Sequence, residues 1–245
     1  MNPEESLRPG WLLDEIASAG RENLDADHVA RYDDKEDADA QAEVELLVSL
    51  GIDRDSTVVD IGAGTGQLSL AIVDVCKRVI AVDVSPVMLR RLRVKAAATG
   101  VTHLEVEQAG FLSYEHSGPL ADAVYSRFAL HHLPDFWKAV ALDRIHAMLR
   151  PGGFFRLWDV VYSFAPAEAA DRVEEWCAAG SDDVGDGWSR AELEEHVRDE
   201  GSTFTWLLEP MIERAGFAIE AKSCSADQFS ARYVLRRPLS DPARS

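Results

Sequence analysis

The stretch VVDIGAGTGQLSL, Val58 to Leu70, constrains this chain more than any other. Its β-branched start predicts a strand, the residues from Gln67 onward predict a helix, and Gly62, Gly64 and Gly66 fill the turn between them. A turn of this kind presents backbone N–H groups to a polar or anionic ligand, and glycine lets that ligand come close. The spacing is G-x-G-x-G. A dinucleotide fingerprint needs its third glycine where Gln67 stands, and a P-loop needs Lys and Ser/Thr where Gln67 and Leu68 follow Gly66. Neither nucleotide reading fits well.

Strand-like and helix-like segments alternate around this turn. STVVDIG (56–62), RVIAVDV (78–84), HLEVEQ (103–108), ADAVYSR (121–127) and FFRLWDVV (154–161) read as strands. GQLSLAIVDVC (66–76) reads as a helix, as does a segment that Ser85 can cap, Pro86 can open and Gly100 can stop. PDFWKAVALDRIHAML (134–149) places Phe136, Val140, Ile145 and Leu149 near helical spacing, and RPGG (150–153) turns into the fifth strand. Such alternation predicts an α/β domain whose parallel sheet is covered on both faces, with ligands at the carboxyl ends of its strands. Four parts follow: an acidic helical amino-terminal lid (1–50), the α/β core (51–161), a helical cap (162–203), and a closing helix with two strands (204–238).

Composition limits the partners. A formal charge of −18 over 245 residues repels phosphate backbones, so nucleic acid is not expected. The basic run RRLRVK, Arg90 to Lys95, reads as the solvated stripe of a helix. Cys76, Cys177 and Cys224 are far apart and form no CxxC pair, which predicts neither a disulfide framework nor a structural zinc site. No run nears the roughly 18 apolar residues of a membrane span. MNPEESLRPG lacks the pattern of a signal peptide, so a cytoplasmic location is expected.

Four stretches in order resemble the class I S-adenosylmethionine-dependent methyltransferase family, of small-molecule type. VVDIGAGTG looks like its first motif and VIAVDVSPVML its second, while ADAVYSRFALHHL and MLRPGGFFRLWD resemble its fourth- and fifth-strand signatures. The resemblance implies a doubly wound, seven-stranded, mostly parallel sheet with an antiparallel last strand, and S-adenosylmethionine as cofactor. It implies that Asp60 orders the glycine loop or accepts from the methionine amino group. Gly62, Ala63, Gly64, Thr65 and Gly66 would pack on the methionine part, Asp83 would take the ribose hydroxyls, and Val84 would lie near the adenine. Ser126, at the end of the fourth strand, joins this cofactor set. In QAGFLSY (108–114) the family's usual acidic residue, which holds the adenine amino group, is replaced by Gly110, and Phe111 would offer its N–H and its ring.

Methyl transfer needs a nucleophile about 3–3.5 Å from the methyl carbon, and a base only where the acceptor holds its proton. His131 and His132 follow the fourth strand, where such a base would stand. SRFALHHL is similar to phosphobase methyltransferases, which implies a base or a positioning role for His132 and a lid partner in Tyr32, either over the cofactor or in catalysis. Phe128 stands where that subfamily has an acceptor-binding aspartate. Trp176, Trp188, Trp206, Phe164 and Phe204 line an apolar acceptor pocket or form the core of the cap. In HVRDEGSTFTW (196–206), Arg198 meets an anionic acceptor or forms a surface ion pair. The expected function is transfer of a methyl group to an oxygen or nitrogen of a small metabolite, without a metal, by a monomer or homodimer. The rivals are a non-catalytic cofactor-binding protein, a tRNA or rRNA methyltransferase, and a nicotinamide-dependent oxidoreductase, whose Tyr-x-x-x-Lys is not found.

Overall fold

The computed structural model describes residues 9–20, 23–24, 29, 40–180 and 188–240. Strands β1 (Thr57–Ile61), β2 (Arg78–Asp83), β3 (Leu104–Gln108), β4 (Ala121–Arg127), β5 (Leu149–Tyr162), β7 (Ala218–Cys224) and β8 (Ser230–Arg236) form one sheet, in the order β3-β2-β1-β4-β5-β8-β7. The pairs among β1 to β5 are parallel, and β8 runs antiparallel to both β5 and β7. A two-residue strand, β6 (Thr203–Phe204), pairs with the end of β5 and was not foreseen.

Alternation of side chains drives the layering. In β1, Val59 and Ile61 enter a core shared with Leu142 and Ile145 of α4 (Asp135–Met148) and Leu208 and Ile212 of α7 (Thr205–Arg214). Val58 points to the other face and packs with Leu47 of α1 (Ala40–Ser49) and Ile72 of α2 (Gln67–Ile72). Every residue of β1 is buried, as a central parallel strand with both faces covered requires. Ser85 caps α3 (Pro86–Thr99) by accepting from Met88 N at 3.1 Å, and Gly100 ends it at φ +75°. The α4 face departs from the expected one at Phe136, which is exposed against Trp137; Val140 packs against the core, and Ile145 and Leu149 are buried beside Ala141 and Leu142. RPGG lies within β5, at an irregularity in its pairing with β4, rather than in a turn before the strand.

A buried pair fastens α1 to the sheet: Arg156 of β5 donates to Glu43 at 2.9 and 2.7 Å. Beyond β5, α5 (Ala169–Ala178) rests on an aromatic cluster of Tyr162, Phe164 and Phe229, with Trp176 stacked 4.4 Å from Phe229, and α6 (Arg190–Asp199) packs on α5, with His196 against Trp176. Because β1 lies between β2 and β4, chain order reverses beside it. The crevice that results opens at the carboxyl ends of β1 and β4.

Candidate functional site

Gly62, Gly64 and Gly66 all have positive φ (77°, 54° and 83°). Gly62 N and Ala63 N donate to Val82 O at 2.8 and 3.0 Å, which straps the loop over the end of β2. Only glycine fits at 62, because an added Cβ would lie 2.3 Å from Ala129 Cβ. Asp83, at the end of β2, accepts from Gly64 N at 2.8 Å and Ser85 N at 2.7 Å. Burial raises its pKa, and those two backbone donors oppose the rise. Val84, Gly110 and Phe111 join Gly62, Gly64 and Asp83 around a cavity of about 60 Å³.

Asp60, Ala63 and Thr65 line a second chamber, on the other side of the loop. Burial pushes the Asp60 carboxyl up to about 7, against the hydrogen bond from Ser69 Oγ at 2.6 Å and with the charge of Asp83. Lys95 reaches back from the basic stripe of α3 to Thr65 Oγ1 at 3.0 Å. Ser126 is fully buried, its Oγ has no hydrogen-bond partner among the described residues, and it lies 3.8 Å from the Cβ position of Gly62.

Phe128 separates these chambers from a larger cavity of about 270 Å³ and borders all three. Its φ is +47°, a left-handed conformation that costs a bulky residue roughly 1–3 kcal/mol. The hydrogen bond from Phe128 N to Trp158 O (2.9 Å), the ring packing on Trp158 (5.3 Å) and the Arg127 guanidinium over both rings hold it there.

Past Phe128, a short turn carries His131 and His132. His131 Nδ1 meets Asp159 Oδ1 at 2.5 Å, and its Nε2 lies 3.0 Å from Glu200 Oε2. Burial alone would lower the His131 pKa, but Asp159 and then Glu200 outweigh it and hold the imidazolium to about 10. His132 goes the opposite way, to about 3, because it is buried beside the charged His131. The amide nitrogen of Asn23 lies 3.3 Å from His132 Nε2. His196 closes the group with its Nδ1 2.6 Å from Glu200, whose pKa the histidines lower against its burial. Gly201 explains how Glu200 arrives there. Its backbone runs so near the turn that an added Cβ would lie 2.5 Å from Leu133 O. His131, His196 and Glu200 bring their nitrogen and oxygen atoms within 4.8 Å of one another, and with His131 held as the imidazolium the group is an ion-pair cluster.

The crevice therefore brings together Asp60, Ala63, Thr65, the loop glycines, Asp83, Val84, Gly110, Phe111, Ser126, Phe128, His131 and His132. Arg198 is not among them: it faces solvent and pairs with Asp199 at 2.6 Å. Trp206 is also exposed, stacked on Phe204. Tyr32 lies outside the described residues. Sequence reasoning missed Glu15, Asn23 and the role of Asp159. The last had a signal, since an acid inside the apolar run FFRLWDVV must find a partner when buried.

A family model described as a methyltransferase domain matches residues 58–153. An uncharacterized methyltransferase of Oceanobacillus iheyensis is 28% identical over 158 residues, which cover 61% of this chain and 72% of that protein. An uncharacterized protein of Mycobacterium tuberculosis is 28% identical over 138 residues, 51% of this chain and 49% of that protein, so the chain spans about half the length of that relative. Among solved structures, the magnesium protoporphyrin IX methyltransferase of Synechocystis with bound S-adenosylmethionine superposes with a TM-score of 0.62 at 14% identity. That match covers 94% of this chain and all of the other. No helix of the described residues is long and apolar enough to cross a membrane. Residues 58–153 thus resemble a methyltransferase domain, and the chain shares the fold of solved methyltransferases.

Proposed function

We propose that the chain transfers a methyl group from S-adenosylmethionine to an oxygen or nitrogen of a small acceptor held in the larger cavity. One observation carries this reading. Asn23, Phe128 and His132 line both the chamber at the glycine loop and the larger cavity, so a group held in the first meets a molecule held in the second at those three side chains. The residues fit the cofactor. Asp83 is a buried acceptor suited to ribose hydroxyls, and Ser126 Oγ is a buried hydroxyl facing the loop, without a partner among the described residues. Gly62 to Gly66 leave the backbone open to the methionine part, with Asp60 beneath, and Val84 and Phe111 wall the adenine end. When bound, S-adenosylmethionine supplies an electrophilic methyl group on a sulfonium.

The chain's own residues do the rest. Phe128 and Trp176 flank the acceptor, which agrees with an apolar or aromatic body. Glu192, Glu195 and Asp227 also line the cavity and, among the described residues, no lysine or arginine does, which favours a neutral or cationic acceptor over the anionic one that Arg198 suggested. His131 remains charged and fixes the turn between Asp159 and Glu200. His132 stays neutral, orients the acceptor, and takes its proton where the acceptor atom becomes strongly acidic on alkylation, as a hydroxyl oxygen does. The acidic cavity and the charge of −18 speak against an RNA substrate.

Calorimetric titration with S-adenosylmethionine, S-adenosylhomocysteine and NADH tests the reading. The first two should bind saturably and NADH should not. Asp83→Ala should weaken the first two by about 1–3 kcal/mol, the worth of hydrogen bonds to a charged group. Binding of NADH alone, or equal affinity in the Asp83 variant, would overturn the assignment. A fold that binds cofactor and methylates no phenol, alcohol or amine in a broad acceptor screen would favour the non-catalytic rival.

A further inference from the structure

We infer that Glu15, from the amino-terminal segment, is the acceptor for the 6-amino group of the cofactor's adenine, in place of a side chain at position 110. This rests on the proposed cofactor reading. Gly110 lies in the loop after β3, and nothing in its backbone requires glycine, since its φ is not in the left-handed range. Space is the reason. A Cβ at 110 would lie 2.3 Å from Glu15 Oε1 and 2.6 Å from its carboxyl carbon, so the carboxylate occupies the volume where a side chain of residue 110 would begin.

Its hydrogen bonds repeat the substitution. Glu15 accepts from Leu112 N at 3.0 Å and from Ser113 Oγ at 2.8 Å. The first donor, Leu112 N, sits two residues beyond 110, where an aspartate at 110 would meet it in an Asx-turn. Glu15 is 6% exposed and lines the same chamber as Val84 and Phe111. Among the described residues, Asp83 is the other carboxylate lining that chamber, at the ribose end. An adenosine therefore finds one carboxylate for its hydroxyls and one for its amino group.

The segment that delivers Glu15 is pinned on both sides. Trp11 stacks on Trp137 with planes 2° apart, and Leu13 packs against the main core. Downstream, Ser85 Oγ donates to Asn23 O at 2.5 Å. The adenine would thus be gripped by the core and the amino-terminal segment together, and cofactor binding would fasten that segment beside the acceptor cavity through Asn23.

Calorimetry on the full chain tests this with S-adenosylhomocysteine and its 6-oxo counterpart, S-inosylhomocysteine. The wild type should prefer the 6-amino ligand by about 10–100-fold, the range of a charged hydrogen bond gained against a carbonyl facing a carboxylate. Glu15→Ala should bind S-adenosylhomocysteine at least about tenfold more weakly and discriminate by less than about threefold. Glu15→Gln preserves the packing and carries an amide that can donate to the 6-oxo group, so its preference should shrink or reverse. Gly110→Ala reaches the same end from the other side, by displacing the carboxylate with a Cβ. Wild-type discrimination retained in the Glu15 variants, or equal binding of both ligands by the wild type, would overturn the inference while leaving the cofactor reading intact. Failure of the wild type to bind S-adenosylhomocysteine would instead overturn the cofactor reading.

Discussion

Replacing Asp159 with asparagine should cost about 3–5 kcal/mol near pH 6, and the cost should shrink as pH rises. Asp159 is 2% exposed and accepts from Val160 N at 2.7 Å and His131 N at 3.1 Å as well as meeting His131 Nδ1. Its partners raise the His131 pKa from 6.5 to about 10. At roughly 1.4 kcal/mol per tenfold, that rise corresponds to about 4–5 kcal/mol, the net of burial, which opposes the charge, and the attraction of Asp159 and then Glu200, which outweighs it. A raised folded-state pKa makes this stabilisation complete below about 6.5 and removes it as pH climbs through about 10. Asparagine deletes the charge and turns an amide N–H₂ toward either His131 N–H or the ring. Of the deficit, about 1–3 kcal/mol of hydrogen-bond mismatch should therefore survive at high pH. Urea denaturation followed by tryptophan fluorescence at about pH 6, 8 and 10 measures the difference between variant and wild type. A deficit under about 1 kcal/mol near pH 6, or one that stays constant to pH 10, would refute the charged-pair reasoning.

Two further outcomes follow from the same geometry. Glu43→Ala leaves Arg156 buried without its carboxylate and should cost about 3–5 kcal/mol in urea melts, whereas Glu43→Met combined with Arg156→Met should recover most of that loss. A Glu43→Ala variant as stable as the wild type would show that the pair does not fasten α1 to the sheet. His132→Ala should keep S-adenosylhomocysteine affinity within about threefold while slowing methyl transfer by roughly 10²–10⁴-fold if the imidazole takes the acceptor's proton. A rise in KM for the acceptor with kcat unchanged would assign His132 to orientation alone.

The sequence by itself determined the α/β alternation, the turn at Gly62 to Gly66, and the candidate acceptor Asp83 at the end of a strand. These are local: periodicity, a cap at Ser85, and glycines where the chain reverses can be read in windows of a few residues. Helix phase was less legible. Of Phe136, Val140, Ile145 and Leu149, which share helical spacing, Phe136 alone is exposed, because the stripe that packs against α7 and β5 begins beyond it. Tertiary structure alone decided which side chains meet at the crevice. Placing β1 between β2 and β4 brings Glu15 to Leu112 across 97 positions and His131 to Asp159 across 28. It also set the opposite charge states of two neighbouring histidines. Both are buried, yet His131 turns toward two carboxylates and His132 lies beside the resulting positive charge. No local pattern specifies such partners, because they belong to elements ordered by the sheet rather than by the chain.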